Sequence, residues 1–353
     1  SIVDVIRIGL RLQGFEVEQV LGTPFRFFVF STMIYNLVQN NHPTYAPASA
    51  LAVFILAVML PLVLLQLRTT RRRQYTTVTG QFKNAPTTLG RLRWPLFGAM
   101  CLVLAVVLGV PIGVSLMGTF MKVFGFFNIP NPWTLNNWLT TFRDPLFLRS
   151  LRNTLVLAIG TAVVAVSLYA VIAYVAVRSR YRLRRWLDLV SWLPITVPGL
   201  ILGLALLWLF LDIPIFRPLY GTVGILIVAG TLTGMPLGVQ IIKSSLLQLG
   251  GDLEEASRVA GGSWASTYRR IILRLLGPAL LTVSLILFVG AARNISYIAL
   301  LSTSTNAPLS MLQLNYIAEG KNEIASVIAF IVTFVSITGA LLARAAGVRG
   351  AAL

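Results

Sequence analysis

Residues 153–177 read NTLVLAIGTAVVAVSLYAVIAYVAV, a stretch without a charged side chain, and the basic sequence RSRYRLRR follows at 178–185. A helix of this length measures about 37 Å at a rise of 1.5 Å per residue. That length crosses the hydrocarbon core of a bilayer, which is roughly 30 Å thick. Seven stretches of this kind occur, and Asp188 is the one acidic residue inside any of them: 47–67, 94–118, 153–177, 187–211, 219–242, 276–300 and 324–343. The sequence therefore predicts an all-α, multi-pass transmembrane helical bundle.

The overall composition agrees with a membrane protein. Of the 353 residues, 56% are apolar and 11% are charged, and the mean hydropathy is +0.81. Soluble domains are about 45–50% apolar and about 25% charged, so this composition excludes a soluble enzyme. A net charge of +18 alone is compatible with nucleic-acid binding, but nucleic-acid binders are not rich in aliphatic residues. The single cysteine, Cys101, allows no internal disulfide and no cysteine-based metal cage.

The basic residues alternate along the chain in a way that predicts its orientation. Nineteen Lys and Arg residues lie in 68–93, 178–186, 243–275 and the C-terminal tail, against six in the intervening connections. Cytoplasmic loops of membrane proteins carry the excess of Lys and Arg. We therefore expect a multi-pass protein of the bacterial plasma membrane with a cytoplasmic C-terminus. Residues 1–22 carry five charges, so no secretory signal peptide is expected there.

The chain contains an internal repeat. The succession of a polar outer loop, an Ala-Ser-x-x-Ala sequence, an apolar span and a basic exit occurs both near the start and near the end. Transporters are often built from repeats that surround a central pathway. The predicted organisation therefore has four parts. Residues 1–67 are the tail of a first repeat with one span, and 68–93 are a basic cytoplasmic linker. Residues 94–343 are a complete six-span unit, and 344–353 are a cytoplasmic tail.

The connection between the fifth and sixth of the seven predicted spans, residues 244–275, is the most informative loop. Asp252 followed by Glu255 is a capping-box pattern that predicts the start of a short helix. Gly261 and Gly262 predict its end, because glycine accepts the left-handed conformation favoured at helix C-termini. Ser263 is then a suitable cap for a second helix. The result is a projecting element with small residues on one side, suited to docking another protein.

This loop resembles the EAA motif of permease subunits in binding-protein-dependent ABC importers, which reads Glu-Ala-Ala, three residues, Gly, nine residues, Ile-x-Leu-Pro. Ser257 replaces the second alanine of that pattern, and Arg274 replaces its proline. The resemblance implies the type I importer permease fold, in which this loop seats in a groove of a cytoplasmic ATPase. The residues to which it assigns this coupling role are Asp252, Glu255, Ala256, Ser257, Gly261, Ile271 and Leu273.

Two other stretches, 131–154 and 193–200, resemble the iron(III) branch of that family, whose permeases fuse two six-span halves. The first half's own coupling loop is missing from the sequence. Either the chain is a truncated member, or another chain supplies the partner half. The resemblance implies iron(III) as the solute, and polyamine, thiosulfate, molybdate or phosphonate remain alternatives because related branches share the motif.

Proline and hydroxyl residues in two adjacent spans are candidate pathway elements. Pro194 and Pro198 lie in one predicted span, and Thr231 and Thr233 precede Pro236 in the next. Prolines free backbone carbonyls and allow kinks within membrane helices. These spans are either parts of a gate or sites of close helix packing.

Arg293 is the ionisable residue that lies well inside a predicted span, about 26 Å from its cytoplasmic end. It is followed by Asn294, Ser296 and Tyr297. Two interpretations stay open. Arg293 either snorkels to the outer interface as a structural residue, or it lines the mouth of a pathway together with these three neighbours.

The sequence also lacks several kinds of catalytic site. It contains no Gly-x-x-x-x-Gly-Lys-Ser/Thr loop for ATP, no His-Glu-x-x-His zinc motif, and no metal or cofactor site of its own. We therefore expect a transport subunit rather than an enzyme, with ATP bound by a partner subunit. Its expected partners are cytoplasmic ATPase subunits, an extracytoplasmic solute-binding protein, a second permease half and the lipid bilayer, and no nucleic acid.

Two other functions remain as alternatives. An ion-coupled secondary transporter usually places ionisable groups within its spans, and Arg293 is the candidate that this sequence offers. A membrane scaffold without transport activity is the other.

Overall fold

The computed structural model describes residues 14–39, 44–72, 90–179, 182 and 184–351. In these residues the regular structure is helical, apart from one isolated bridge between Met121 and Trp133. The predicted all-α class is therefore confirmed. The helices are α1 (Phe30–Gln39), α2 (Tyr45–Arg72), α3 (Arg93–Phe120), α4 (Asn136–Arg143), α5 (Pro145–Arg178), α6 (Arg184–Trp192), α7 (Gly199–Asp212), α8 (Val223–Gln248), α9 (Asp252–Val259), α10 (Trp264–Leu275), α11 (Gly277–Arg293), α12 (Ile298–Leu301), α13 (Leu309–Ala318) and α14 (Asn322–Ala351).

Four of these helices, α3, α5, α8 and α14, are long and apolar enough to cross a membrane unbroken. Two bent helix pairs bring the number of candidate spans to six among the described residues. The predicted span 47–67 lies within α2, whose described apolar part, Tyr45–Met59, is shorter than a full crossing. The prediction of seven continuous spans is thus wrong at two places, where a span is broken.

The first break interrupts the predicted span 187–211. The segment Trp186–Thr196 meets α7 at an angle of 110°. Pro198 forces Val197 into an extended conformation, with φ −103° and ψ 116°, because the proline ring disfavours a helical residue before it. Helix α7 then starts afresh at Gly199. The proline that the sequence marks as a kink therefore separates two helices instead.

The predicted span 276–300 is interrupted near both of its ends. Helix α11 ends at Arg293, where Asn294 turns extended, and the chain continues through a bend into the four-residue helix α12. At its other end α11 meets α10 at 70°. Tyr297 therefore does not lie on a continuous span, and its side chain is buried.

The centre of the molecule is the contact of α5 with α8 and α11. Three glycines of α8 recur at every fourth residue, Gly230, Gly234 and Gly238. A Cβ atom built on Gly238 lies 2.5 Å from the ring of Tyr169 on α5. Small residues at this spacing allow membrane helices to approach closely. The hydroxyl of Tyr169 then donates a hydrogen bond to the backbone carbonyl of Thr231.

The two predicted repeats share part of their succession of elements. Helix α1 is followed by a short connection and the long helix α2, as α13 is followed by α14. Both α1 and α13 are ten residues long. The second residue of each helix is a serine whose hydroxyl donates to a carbonyl of the preceding segment, Ser31 to Gly14 and Ser310 to Asn294.

The two repeats also contact each other reciprocally. Helix α1 packs against α12, and the equivalent helix of the second repeat, α13, packs against the single helical turn Glu18–Gly22. One apolar core includes residues from both repeats, among them Ile34 and Leu300. Reciprocal contacts of this kind are those of a twofold-related pair.

The predicted domain boundaries stay predictions, although parts of them can be placed. Most of the basic linker, 73–89, lies outside the described residues, as do residues 1–13. Helix α14 continues to Ala351, so the predicted tail at 344–353 is helical over most of its length.

At the opposite end from α9, a polar contact joins α5 to α13. Asp144 caps the start of α5 by accepting a hydrogen bond from the Leu146 amide at 2.9 Å. Its second carboxylate oxygen accepts the phenol proton of Tyr316 at 2.6 Å. Burial and this carboxylate raise the pKa of Tyr316 to about 12, so the phenol remains a donor at neutral pH.

We expect Gly238→Ala to lower the stability of the protein in detergent by about 1–3 kcal/mol, because the new methyl group overpacks against the buried ring of Tyr169. Thermal unfolding measures this change. The control is Gly109→Ala on α3, where a Cβ has no neighbour within 4 Å. An equal effect of both substitutions would contradict the close contact.

Candidate functional site

Helix α9 is the short helix that the sequence predicts between α8 and α10. Its start differs from the predicted capping box, because Gly251 is the N-cap and provides no side-chain hydrogen bond. Asp252 is instead the first helical residue, and Glu254 and Glu255 also lie in the first turn. Three carboxylates near the positive end of the helix dipole stabilise this start electrostatically.

The end of α9 is the glycine turn that the sequence predicts. Gly261 has a φ of +80°, a conformation that residues with a Cβ rarely adopt. The Gly262 amide donates to the Ser257 carbonyl at 2.8 Å, and a Cβ on Gly262 would lie 2.5 Å from the Ser257 hydroxyl. Both glycines are therefore required, one for its backbone angle and the other for space.

Helix α10 starts at the predicted cap and packs back onto α9. The Ser263 hydroxyl accepts from the Ser266 amide at 3.3 Å. The hydroxyls of Ser257 and Thr267 lie 2.7 Å apart and join the two helices. The motif residues Ile271 and Leu273 are half-buried on α10, where the backbone has a wide turn at Tyr268–Ile272.

A buried ion pair anchors α9 to the end of α5. The Glu254 side chain, 8% exposed, lies 3.0 Å from the guanidinium of Arg178. Its other oxygen accepts the phenol proton of Tyr174 at 3.1 Å. Arg178 also donates to the backbone carbonyl of Leu249 ahead of α9. A buried charge without its partner is strongly unfavourable. Any rotation of α9 that separated Glu254 from Arg178 would therefore cost free energy, so the pair and its hydrogen bonds hold the helix in one orientation.

Three aromatic rings support this ion pair. Trp264 and Tyr268 of α10 stack with their ring centroids 5.5 Å apart and their planes within 9°. Tyr174 meets both rings edge-on and accepts a hydrogen bond from the Trp264 indole at 3.2 Å. Burial raises the pKa of Tyr268. Tyr174 connects this aromatic cluster to the ion pair through its hydrogen bond to Glu254.

Sequence reasoning did not identify Glu254, Arg178 or Tyr174 as members of this site. Tyr174 and Glu254 are 80 residues apart in the chain, so no local spacing pattern connects them. The available signal was the pair of adjacent carboxylates at the start of α9. Because neighbouring helical residues point in different directions, one of the two carboxylates had to face the protein.

The other face of α9 is open to solvent. Leu253 is 43% exposed and Val259 is 90% exposed. Asp252, Glu255 and Ala256 are exposed on the same helix, whereas Ser257 is half-buried against Thr267. An apolar, acidic and small-residue surface on a rigidly held helix is suited to docking a protein. Which of the predicted coupling residues make such contacts stays a prediction.

The structure brings four of the predicted pathway residues together at the first helix break. Pro198 is buried at the bend, and a Cβ on the next residue, Gly199, would lie 3.0 Å from Cβ of Ser296. Tyr297 extends from there toward α8, where its hydroxyl lies 3.0 Å from a Cβ built on Gly230. Thr231, the next residue of α8, is buried beside it.

Several hydroxyl groups in this region lack hydrogen-bond partners. The hydroxyls of Thr161, Thr231 and Tyr297 are buried and form no hydrogen bond with any described residue. A polar group left unpaired in an apolar interior costs roughly 1–3 kcal/mol. These groups therefore place polar side chains in the otherwise apolar interior beside the break.

The remaining pathway candidates lie elsewhere. Arg293 is exposed at the end of α11. The Asn294 carbonyl accepts the Ser310 hydroxyl at 2.9 Å. Pro194 is half-buried in the turn before α7, and Thr233 is exposed, its hydroxyl donating to the Ala229 carbonyl at 2.8 Å. In the described part of the chain, no group of His, Cys, Asp and Glu residues is arranged to hold a metal ion.

Comparison with known sequences identifies related membrane proteins. Residues 169–347 match the family of binding-protein-dependent transport system inner membrane components. The ferric transport system permease protein FbpB of Actinobacillus pleuropneumoniae is 29% identical over 326 residues, which cover 89% of this chain and 45% of that protein. A putative ferric transport system permease protein FbpB 1 of Haemophilus influenzae is 30% identical over 307 residues, 83% of this chain and 46% of the relative. The chain thus spans about half the length of these curated relatives.

Comparison with solved structures identifies the fold. The crystal structure of a bacterial alginate ABC transporter, in complex with an alginate pentasaccharide-bound periplasmic protein, contains a chain that matches with a TM-score of 0.57 and 18% identity. The match covers 71% of this chain and 92% of that one. The type I permease fold predicted from the sequence is therefore confirmed.

We expect Glu254→Gln to loosen α9, because the neutral amide no longer balances the Arg178 charge. The loss of a charge-assisted hydrogen bond corresponds to about 1.5–3 kcal/mol, and hydrogen exchange of the α9 amides should accelerate about tenfold or more. Glu255→Gln is the matched control, because its side chain is exposed and its effect should stay within about 0.5 kcal/mol. Equal exchange in the two variants would disprove the anchoring role of Glu254.

Proposed function

The chain belongs to the family of binding-protein-dependent transport system inner membrane components, and we propose that it is the membrane-spanning permease of an ATP-driven importer. It is a multi-pass inner membrane protein of this family, with several apolar helices. Transport requires the spans to open alternately to the two sides of the membrane. The break between the segment Trp186–Thr196 and α7, and the short helix α12 beside it, supply elements able to move in such a change.

The observation that carries this proposal is the exposed face of α9, fixed in place by the Arg178–Glu254 pair. A cytoplasmic ATPase docks on this face through Leu253, Glu255, Ala256 and Val259. When the ATPase subunits close, the ion pair transmits the displacement of α9 to the end of α5. Because α5 packs along α8 and α11, the displacement reaches the centre of the bundle.

Energy for transport comes from ATP bound by that partner subunit, since the sequence carries no phosphate-binding loop of its own. A solute-binding protein delivers the solute on the side opposite α9, and a second permease half completes the pathway. None of the most apolar eighteen residues of α3 is buried inside the structure. Such a surface faces lipid or the second half.

Iron(III) is the solute that the relatives favour, because two of them are named as ferric transport permeases. Polyamine, thiosulfate, molybdate or phosphonate are the alternatives that the shared motif leaves. The pathway residues of this proposal are those at the helix breaks and in the span that follows: Pro194, Pro198, Thr231, Thr233, Arg293, Asn294, Ser296 and Tyr297.

The double variant Glu255→Gln/Gly261→Ala tests the coupling role of α9. It removes an exposed charge and strains the +80° turn by about 1–2 kcal/mol. We expect capture of the ATPase subunit from solution, and ATP-driven uptake in proteoliposomes, to fall at least about tenfold, which corresponds to 1.4 kcal/mol of binding free energy.

The matched control lies after α13, where Glu319 is exposed and Gly320 has a φ of +75°. Glu319→Gln/Gly320→Ala makes the same chemical change far from α9, and ATPase capture should be unaffected. Normal capture and uptake in the Glu255/Gly261 variant would refute the proposal. So would uptake that follows an ion gradient when no ATPase is present.

The proposed orientation is tested by labelling spheroplasts with a membrane-impermeant maleimide. In a Cys101→Ala background, Lys321→Cys should react in intact spheroplasts, and Arg258→Cys should react only after lysis. Both residues are exposed, so access depends on the side of the membrane alone. Reaction of Arg258→Cys in intact spheroplasts would place α9 on the outer side and contradict the topology.

A further inference from the structure

A cavity lies between the two repeats, and we call it the inter-repeat chamber. Its volume is about 430 Å³. One wall comes from the first repeat and the others come from the end of α11, from α13 and from α14. The residues that decide its chemistry are Glu16, Arg293, Ser310, Gln313 and Thr333.

The position of the chamber follows from the reciprocal contacts of the repeats. The carboxylate of Glu16 accepts a hydrogen bond from the Ile295 amide at 3.0 Å. Glu16 and Ile295 each precede the equivalent serines Ser31 and Ser310 by fifteen residues. Two equivalent positions that touch each other lie at the twofold axis that relates the repeats. Binding sites of repeat-built transporters lie at such repeat interfaces.

The two sides of the axis differ in charge. Among the described residues, the first repeat contributes Glu16, Val17, Val20 and Leu21 to the lining, and none of these is basic. The chamber therefore has a guanidinium on one side without a counterpart on the other. Because the opposite side of the axis packs without such a charge, packing of the repeats does not require the Arg293 guanidinium.

Free hydrogen-bond donors dominate the chamber. Arg293 forms no ion pair or hydrogen bond with any residue in the described part of the chain, and the same holds for the Gln313 amide. The hydroxyls of Ser310 and Thr333 already donate to the Asn294 and Ala329 carbonyls. One Glu16 oxygen is occupied by the Ile295 amide.

Apolar side chains complete the lining, and the Arg293 guanidinium beside them is exposed to solvent. The apolar residues are Val20, Leu21, Leu314 and Val332. A guanidinium offers a planar fork of N–H groups that matches carboxylate and phosphate oxygens.

We propose that the inter-repeat chamber binds an anion through its carboxylate or phosphate oxygens, with Arg293 as the main ligand and Gln313 as a second donor. The inference rests on the proposed transport function, and among the solutes named there it favours an anion over a free iron(III) or polyamine cation. The Glu16 carboxylate repels the anion and so directs its oxygens toward Arg293. Helix α11 is about 25 Å long, which places Arg293 toward the end of the span far from α9.

Titration calorimetry on the full-length protein in detergent tests this inference, with sodium citrate and inorganic phosphate as separate probes. We expect at least one probe to bind at millimolar or lower concentration. Arg293→Gln should weaken that binding about tenfold or more, since a charge-assisted hydrogen bond contributes at least as much as a tenfold change in affinity. Arg293→Lys, which keeps the charge but loses the fork, should weaken it less, and so should Gln313→Leu.

The matched control is Arg149→Gln, an exposed arginine on α5 that does not line the chamber; its binding should equal that of the unmodified protein. Binding of citrate alone identifies a carboxylate site, and binding of phosphate alone or of both probes identifies a site that accepts phosphate. No binding of either probe, or equal binding by the Arg293→Gln variant, would overturn the inference. ATPase capture by the Arg293→Gln variant should remain normal. If the Arg293→Gln variant captures the ATPase normally and binds the anion as tightly as the unmodified protein, the anion site is rejected and the proposed function is not.

Discussion

The close approach of α5 and α8 is the constraint on which the rest of the structure depends. Inside a membrane, apolar side chains gain little from contacting one another rather than lipid, so helices associate where their backbones fit closely. Gly230, Gly234 and Gly238 provide that fit: the ring of Tyr169 lies against Gly238, Leu287 of α11 lies against Gly234, and Thr161 lies against Gly230. Helix α11 packs against the same pair.

The same helix α5 connects the two candidate functional regions, α9 and the first helix break. At one end, Arg178 holds α9 through Glu254, and farther along, Tyr169 and Thr161 lie beside the buried hydroxyls near the first helix break. A displacement of α9 therefore acts on a rigid helix rather than on a flexible loop. The hydroxyls of Thr231 and Tyr297 lie buried in that far region.

The sequence predicted what depends on local patterns. Uninterrupted apolar runs located α3, α5, α8 and α14, and the Gly261–Ser263 sequence located the turn between α9 and α10. It did not predict the breaks at Val197 and Asn294, because an apolar run has the same composition whether it is straight or bent, and proline in a membrane helix often produces only a kink. The Asp252 capping box failed because the helix starts one residue earlier than that pattern requires, with Gly251 as its N-cap. The Arg178–Glu254 pair and the inter-repeat chamber join residues distant in the chain, so no spacing rule reveals them.

Helix α3 has a consequence for how the protein is made. The most apolar part of this helix buries nothing inside the structure, whereas more than half of the corresponding part of α8 is buried, at 56%. Helix α3 is therefore apolar enough to insert into the bilayer during synthesis without contacts to another helix. Helix α8, with its glycines and hydroxyls, gains its full stability only after α5 is in place to receive it. Biogenesis of this bundle thus has an order set by the chain itself, in which self-sufficient segments insert first and dependent ones assemble onto them.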